Sequence, residues 1–149
     1  MDIKSGNGYP ASALSNFALH PFIFSGVQCN SMEGLLQSFK SPYEHVQIEI
    51  CKLVGYQAKK RGRNIDWRRD QRLYWSGVEY DRHGLDYQLL LSRAYQALYD
   101  QSDSFRRALQ ASGNAVLTHS IGRTNKSETI LTQTEFCSRL MRLRNGEAI

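Results

Sequence analysis

Tyr87, Leu90, Leu91, Ala94 and Leu98 recur at the three- and four-residue spacing that gathers apolar groups on one side of a helix, which commits residues 85–99 to a long amphipathic helix. A stripe of that length must be covered, so the rest of the chain has to build a core against it. A shorter helix around Phe105, Ala108 and Leu109 follows and stops at Gly113. Thr132-Gln133-Thr134-Glu135 has the spacing of a capping box and opens a last helix, buried through Phe136, Leu140 and Leu143. A chain of 149 residues is most economically one domain over 1–149, large enough to bury roughly 70% of the surface it exposes when unfolded.

The N-terminal half is built from shorter pieces. Phe22-Ile23-Phe24 and Val27-Gln28-Cys29 flank Ser25-Gly26 and predict a small hairpin. Asn30 and Glu33 are spaced as N-cap and third residue of a helix running to about Lys40. Ser41-Pro42-Tyr43-Glu44 offers a second start, with Val46, Ile50 and Leu53 as the buried stripe and Gly55 as the stop. A basic loop is expected around Gly62, and then a helix capped by Asp66 that begins at Trp67, runs to about Trp75 and is closed by Gly77. Ala115 to Ile121 reads as a strand. The class is α+β, a mainly α-helical single domain with a small β-sheet.

Several function classes are disfavoured. No apolar run approaches the ~18–20 residues of a membrane span, and the first residues lack the layout of a secretory signal. Cys29, Cys51 and Cys137 share no CxxC spacing and the four histidines are scattered, so neither a metal site, a disulfide framework nor a Cys–His nucleophile is signalled. The expectation is a reduced cytoplasmic protein with no membrane partner and no cofactor, its oligomeric state unspecified. The net charge of +5 is uneven, since residues 59–72 hold seven Lys/Arg against two Asp. That run favours a phosphate-bearing partner, and a solvated helix or loop face would explain it equally well.

One short helix carries a polar ridge. Met32, Leu35, Leu36 and Phe39 share a face, while Glu33, Gln37 and Lys40 lie about 80–140° around from Met32. A carboxylate on the shoulder of a core can line a cleft with a perturbed pKa, as acid–base chemistry requires. A capping role with Asn30 would explain the same Glu33 without chemistry.

Taken in order, the motifs resemble the NADAR family of YbiA-like proteins over about residues 15–144. Ser15-Asn16-Phe17, an apolar strand, Gly26 and the Ser-x-Glu-x-x-x-Gln-x-x-Lys helix from Ser31 to Lys40 are similar to its opening signature. Ala58, Gly62 and Asp66-Trp67 look like a second block, and Leu117 with Leu140-Met141-Arg142-Leu143-Arg144 like the last blocks. The resemblance implies cleavage of a C–N bond between a ribose and a base-like group. The implied substrates are phosphorylated riboflavin precursors or ADP-ribosylated guanine in nucleic acid. One block departs: where the family has Asp-x-x-Trp-Gly, this chain has Ser120-Ile121-Gly122-Arg123-Thr124-Asn125-Lys126-Ser127-Glu128-Thr129. The small size and altered block resemble phage-encoded relatives, which would place the protein in the host cytoplasm.

Breaking a ribose–nitrogen bond builds positive charge on the sugar and negative charge on the base, so the site needs a carboxylate, a donor for the base and a wall against water. Glu33 is the expected carboxylate, with Glu128 as a substitute for the missing acid. Gln37 and Asn16 would hydrogen-bond water or ribose, Lys40 would face a phosphate or leaving group, and Asp66-Trp67 would hold the base. Arg123 and Lys126 would bind pyrophosphate. For each there is a plainer role: Asn16 in a turn, Asp66 as a cap, Trp67 in packing, Lys40 at a helix end, the loop cations in solvent. His119 reads as a satisfied structural histidine. The alternative function is a non-catalytic module that binds ADP-ribose, nucleotide or nucleic acid.

Overall fold

Helix α5 (Leu85–Gln101) is the centre of the architecture, and the computed structural model describes residues 1–149 around it. Its buried face, Tyr87, Leu90, Leu91, Ala94, Tyr95 and Leu98, is the predicted stripe extended by Tyr95. That face packs on β1 (Phe22–Phe24), α2 (Met32–Ser38), α6 (Asp103–Ala111) and α7 (Gln133–Arg144). All of them contribute to one cluster of 29 buried residues. Helix α7 starts on the expected capping box, in which the Thr132 hydroxyl accepts from the Glu135 N–H and the Glu135 carboxylate accepts from the Thr132 N–H.

The first hairpin pairs β1 with β2 (Val27–Cys29) antiparallel, Phe24 opposite Val27. Its two-residue turn places Ser25 and Gly26 at φ of 49° and 78°, the left-handed pair that matches strand twist. A second hairpin joins β3 (Arg72–Trp75) to β4 (Val78–Asp81) through Ser76-Gly77, again with both turn residues at positive φ. This corrects the helix expected over 67–75. Leu73 and Trp75 are buried while Arg72 is exposed and Tyr74 half-buried, a period of two that the helical assignment passes over.

Other boundaries move as well. Helix α1 spans Ala11–Leu14. Helix α3 (Glu44–Cys51) begins two residues after Pro42, buries Gln47, Ile50 and Cys51 in place of a Val46–Ile50–Leu53 stripe, and ends before Gly55. Gly55, at φ 59°, instead opens α4 (Tyr56–Arg63), so the expected basic loop is a helix. Only Ala58 and Gly62 of α4 are buried, which leaves it no apolar period to read. The segment 115–121 forms no strand. Its one ladder contact is a parallel bridge between Asp2 and Thr118, because the N-terminal segment turns away at residues 5–7, where the Asn7 N–H donates to the Lys4 carbonyl.

Helix α2 starts on Ser31, whose hydroxyl accepts from the Gly34 N–H at 3.1 Å. Asn30 is occupied elsewhere: its N–H donates to the Cys51 carbonyl and its amide to the Lys52 carbonyl, each at 2.9 Å, closing the open end of α3. Gly34 lets the two helices meet, for a Cβ there would lie 2.8 Å from the Leu53 carbonyl oxygen. The capping role expected of Asn30 with Glu33 is therefore replaced, and the Glu33 side chain takes no part in the cap. No helix is long and apolar enough to cross a membrane.

Candidate functional site

Helices α2 and α4, the turn at 64–68 and the irregular segment 119–131 enclose a cleft of about 590 Å³. Asn16, Glu33, Gln37, Lys40, Asp66, Trp67, Arg123 and Glu128 all line it, whereas Lys126 is exposed and lies outside.

At the floor, the Glu33 N–H donates to the Asn16 carbonyl at 2.9 Å, and its carboxylate Oε1 accepts from Gln37 Nε2 at 2.9 Å. Burial pushes the Glu33 carboxyl above the usual carboxylate range, and the Gln37 hydrogen bond and the charges of Lys59, Lys40 and His119 pull the other way. Gln37 Oε1 is buried and has no partner. It lies where a side chain on Gly62 would begin, 1.9 Å from the position of a Cβ. Gly62 thus admits the Gln37 amide, and its carbonyl accepts a long 3.4 Å bond from Lys40 Nζ. Burial lowers the Lys40 ammonium to about 8, with Glu33 opposing that and Arg68, Lys59 and Arg63 adding to it.

Asn16 is fixed by Tyr95, whose hydroxyl donates to Oδ1 at 2.8 Å, and its NH₂ makes no bond within the protein. Burial and the nearby Glu33 charge hold the Tyr95 phenol well above its ordinary range, so it remains a donor. Trp67 is only 4% exposed and belongs to the core, so it backs the cleft as a wall and does not offer an open stacking face. Phe17 is more accessible, with Lys59 Nζ 6.0 Å from its ring centre. Asp66 Oδ1 accepts from the Arg69 N–H at 3.4 Å and so holds a turn rather than a helix start.

The lip is strapped by side chains. Arg68 donates twice to the Glu128 carbonyl, at 3.0 and 3.3 Å, Arg82 donates to the Thr129 carbonyl at 2.8 Å, and the Tyr87 hydroxyl to the Ile130 carbonyl at 2.7 Å. The Glu128 carboxylate is 53% exposed and pairs with Arg123 at 3.4 Å, on the rim and not on the floor. Lys59, Arg63 and Arg68 carry no individual signal in the sequence. They add to Lys40 and Arg123 as cations around the opening, and the signal for them is the 59–72 run itself. The arrangement is a carboxylate and two amides at depth beneath a basic mouth.

Comparison with known proteins places the chain in a lineage. The model of a family described as bacteriophage protein GP30.3 matches residues 8–145. A 17.1 kDa protein from the Gp30-rIII intergenic region of Enterobacteria phage T4 is 39% identical over 148 residues, which cover 98% of this chain and 97% of the T4 protein. The NMR structure of the E. coli protein YbiA matches with a TM-score of 0.62 at 21% identity, covering 98% of this chain and 83% of YbiA. The fold is the YbiA fold, α+β as expected.

Proposed function

This chain belongs to the bacteriophage protein GP30.3 family, and from that premise we propose that its cleft is the site of an N-glycosidase-like hydrolase, cleaving a ribose–base C–N bond in an ADP-ribose-linked or phosphoribosyl substrate. The observation that carries this reading is Glu33, a carboxylate released from helix capping and held at the cleft floor by Gln37. Glu33 orients water at the anomeric carbon and stabilises the positive charge that develops on the sugar. The Asn16 NH₂ faces a ribose hydroxyl or that water, and Gln37, whose Nε2 bonds to Glu33 and whose Oε1 is closed in against Gly62, holds the carboxylate in position. Lys40, Lys59, Arg63, Arg68 and Arg123 draw in the phosphates, and Phe17, Leu36, Ile65 and Trp67 exclude bulk water from the bond that breaks.

Product analysis by mass spectrometry tests it, with ADP-ribosylated DNA, NAD-like nucleotides and riboflavin precursors incubated in parallel. Release of a free base or of free ADP-ribose is expected from one of them. Glu33→Gln should lower that turnover by about 100-fold or more while ligand binding persists. Full activity of the variant would remove Glu33 from its role.

A second reading is a non-catalytic module for ADP-ribose, nucleotide or nucleic acid. The position of Glu128 favours it, since an acid paired with Arg123 on the rim leaves Glu33 as the one carboxylate at the floor. Binding without product, with an affinity for polynucleotide that falls steeply with salt, would select this reading.

A further inference from the structure

The glycosidase reading leaves the departing base without an acid, and the structure offers one in a residue whose sequence context reads more simply as a satisfied histidine. His119 lines the same cleft, and its charge is among those that act on Glu33. Its Nδ1 lies 2.8 Å from the Ile3 carbonyl oxygen. A carbonyl only accepts, so Nδ1 carries a proton and Nε2 is the exchangeable position. Nε2 has no partner within the protein and is not enclosed. The ring stands edge-on to Phe136, centres 5.2 Å apart. Gly122 leaves room for it, as a Cβ there would come within 2.6 Å of His119 Cδ2.

The first residues of the chain hold this histidine in place. The Ile3 N–H donates to the Thr118 carbonyl at 2.8 Å and the Thr118 N–H to the Met1 carbonyl at 2.9 Å. The Asp2 carboxylate accepts from the Ser120 N–H at 2.8 Å and from the Ser120 hydroxyl at 2.6 Å. His119 is thus clamped on both sides by a segment far away in sequence. Because Ile3 accepts from Nδ1–H in both protonation states, proton exchange at Nε2 needs no ring rotation.

We propose that His119 is the acid that protonates the departing base, with residues 1–3 fixing its tautomer and position; the proposal rests on the glycosidase reading. As the C1′–N bond breaks, its electron pair stays on the base nitrogen, which takes the Nε2 proton of the imidazolium. Water bonds to C1′ and gives its proton to Glu33. Solvent then returns a proton from Glu33 to His119, and the net reaction consumes one water.

The test compares the full-length wild type and His119→Gln on two N-ribosides. One carries guanine, which needs a proton to leave, and the other a pyridinium-type base, which leaves neutral without one. His119→Gln should lower kcat on the guanine substrate by about 100-fold or more, with KM within about threefold, and lower it less than about threefold on the pyridinium substrate. His119→Asn, whose amide can still donate to the Ile3 carbonyl, should show the same split and stands in if His119→Gln folds poorly. Equal losses on both substrates, or no loss on either, overturn the acid role and leave the glycosidase reading intact. A wild type that cleaves neither substrate overturns that reading and the role of His119 with it.

Discussion

Two clusters of charge are built into this protein and are treated in opposite ways. Arg82 and Glu135 form a buried bidentate pair at 2.7 and 3.0 Å, and each is completed by others. The Arg82 Nε–H donates to the Thr129 carbonyl, and Glu135 also accepts from Gln88 at 2.6 Å and from the Thr132 N–H at 2.8 Å. Around Glu33 the carboxylate accepts one side-chain bond, Lys40 reaches only a carbonyl at 3.4 Å, and Gln37 Oε1 has nothing. Buried polar groups are normally satisfied, so the fold finishes the first cluster and leaves the second incomplete, which on the proposed reading a ligand finishes through Glu33 and Lys40.

The contrast is broken most severely at the finished cluster. Arg82→Ala or Glu135→Ala leaves an unpaired buried charge and should cost about 3–5 kcal/mol in chemical denaturation. This pair also ties stability to pH. Burial works to raise the Glu135 carboxyl, but the bonds from Arg82, Thr132 and Gln88 outweigh it and hold it down to about 2. A depressed carboxylate contributes stability above its unfolded pKa and loses it as pH falls toward the folded one. Melting curves should therefore fall between about pH 4.5 and pH 2, and Glu135→Gln should flatten that slope.

A smaller effect is expected at Gly62→Ala. The new methyl would overlap Gln37 Oε1 and force the amide away from Glu33. The cost should be about 1–3 kcal/mol, and ADP-ribose affinity measured by calorimetry should fall with it. Smaller again is the pH response of Lys40, held at about 8. The unfolded chain keeps that proton to higher pH, so this residue's contribution to stability rises from about pH 8 upward while its charge is lost to a bound phosphate. Calorimetry at pH 6.5 and 9 should show weaker binding at the higher pH, and Lys40→Arg should remove the difference. Lys126→Ala, outside the cleft, should change stability by less than about 0.5 kcal/mol.

What was legible in the sequence follows from how each element signals itself. Helices α5 and α7 declare themselves through an apolar period and a capping box. Helix α4 does not, because its buried contacts are Ala58 and Gly62 and the rest is charge. The dipeptide Ser-Gly makes the turn of both hairpins, yet only Ser25-Gly26 sits between runs apolar enough to read as strands. Arg72 and Glu79 dilute the same alternation around Ser76-Gly77. Glu33, Gln37 and Lys40 are legible as a candidate site because they fall at helical spacing, although α2 ends at Ser38 and Lys40 lies in the turn just after it. His119 is not, since what pins it is the Ile3 carbonyl, more than a hundred residues away in the chain.

The central claim is that Glu33 is held for a ligand and Glu135 for the fold. Thermal midpoints of Glu33→Gln and Glu135→Gln at neutral pH, without ligand, test it most directly. Glu33→Gln should melt at or above the wild type, since an amide costs less to bury than a carboxylate, and Glu135→Gln several degrees below. A fall in Glu33→Gln as large as that in Glu135→Gln would make Glu33 a structural residue and contradict the account.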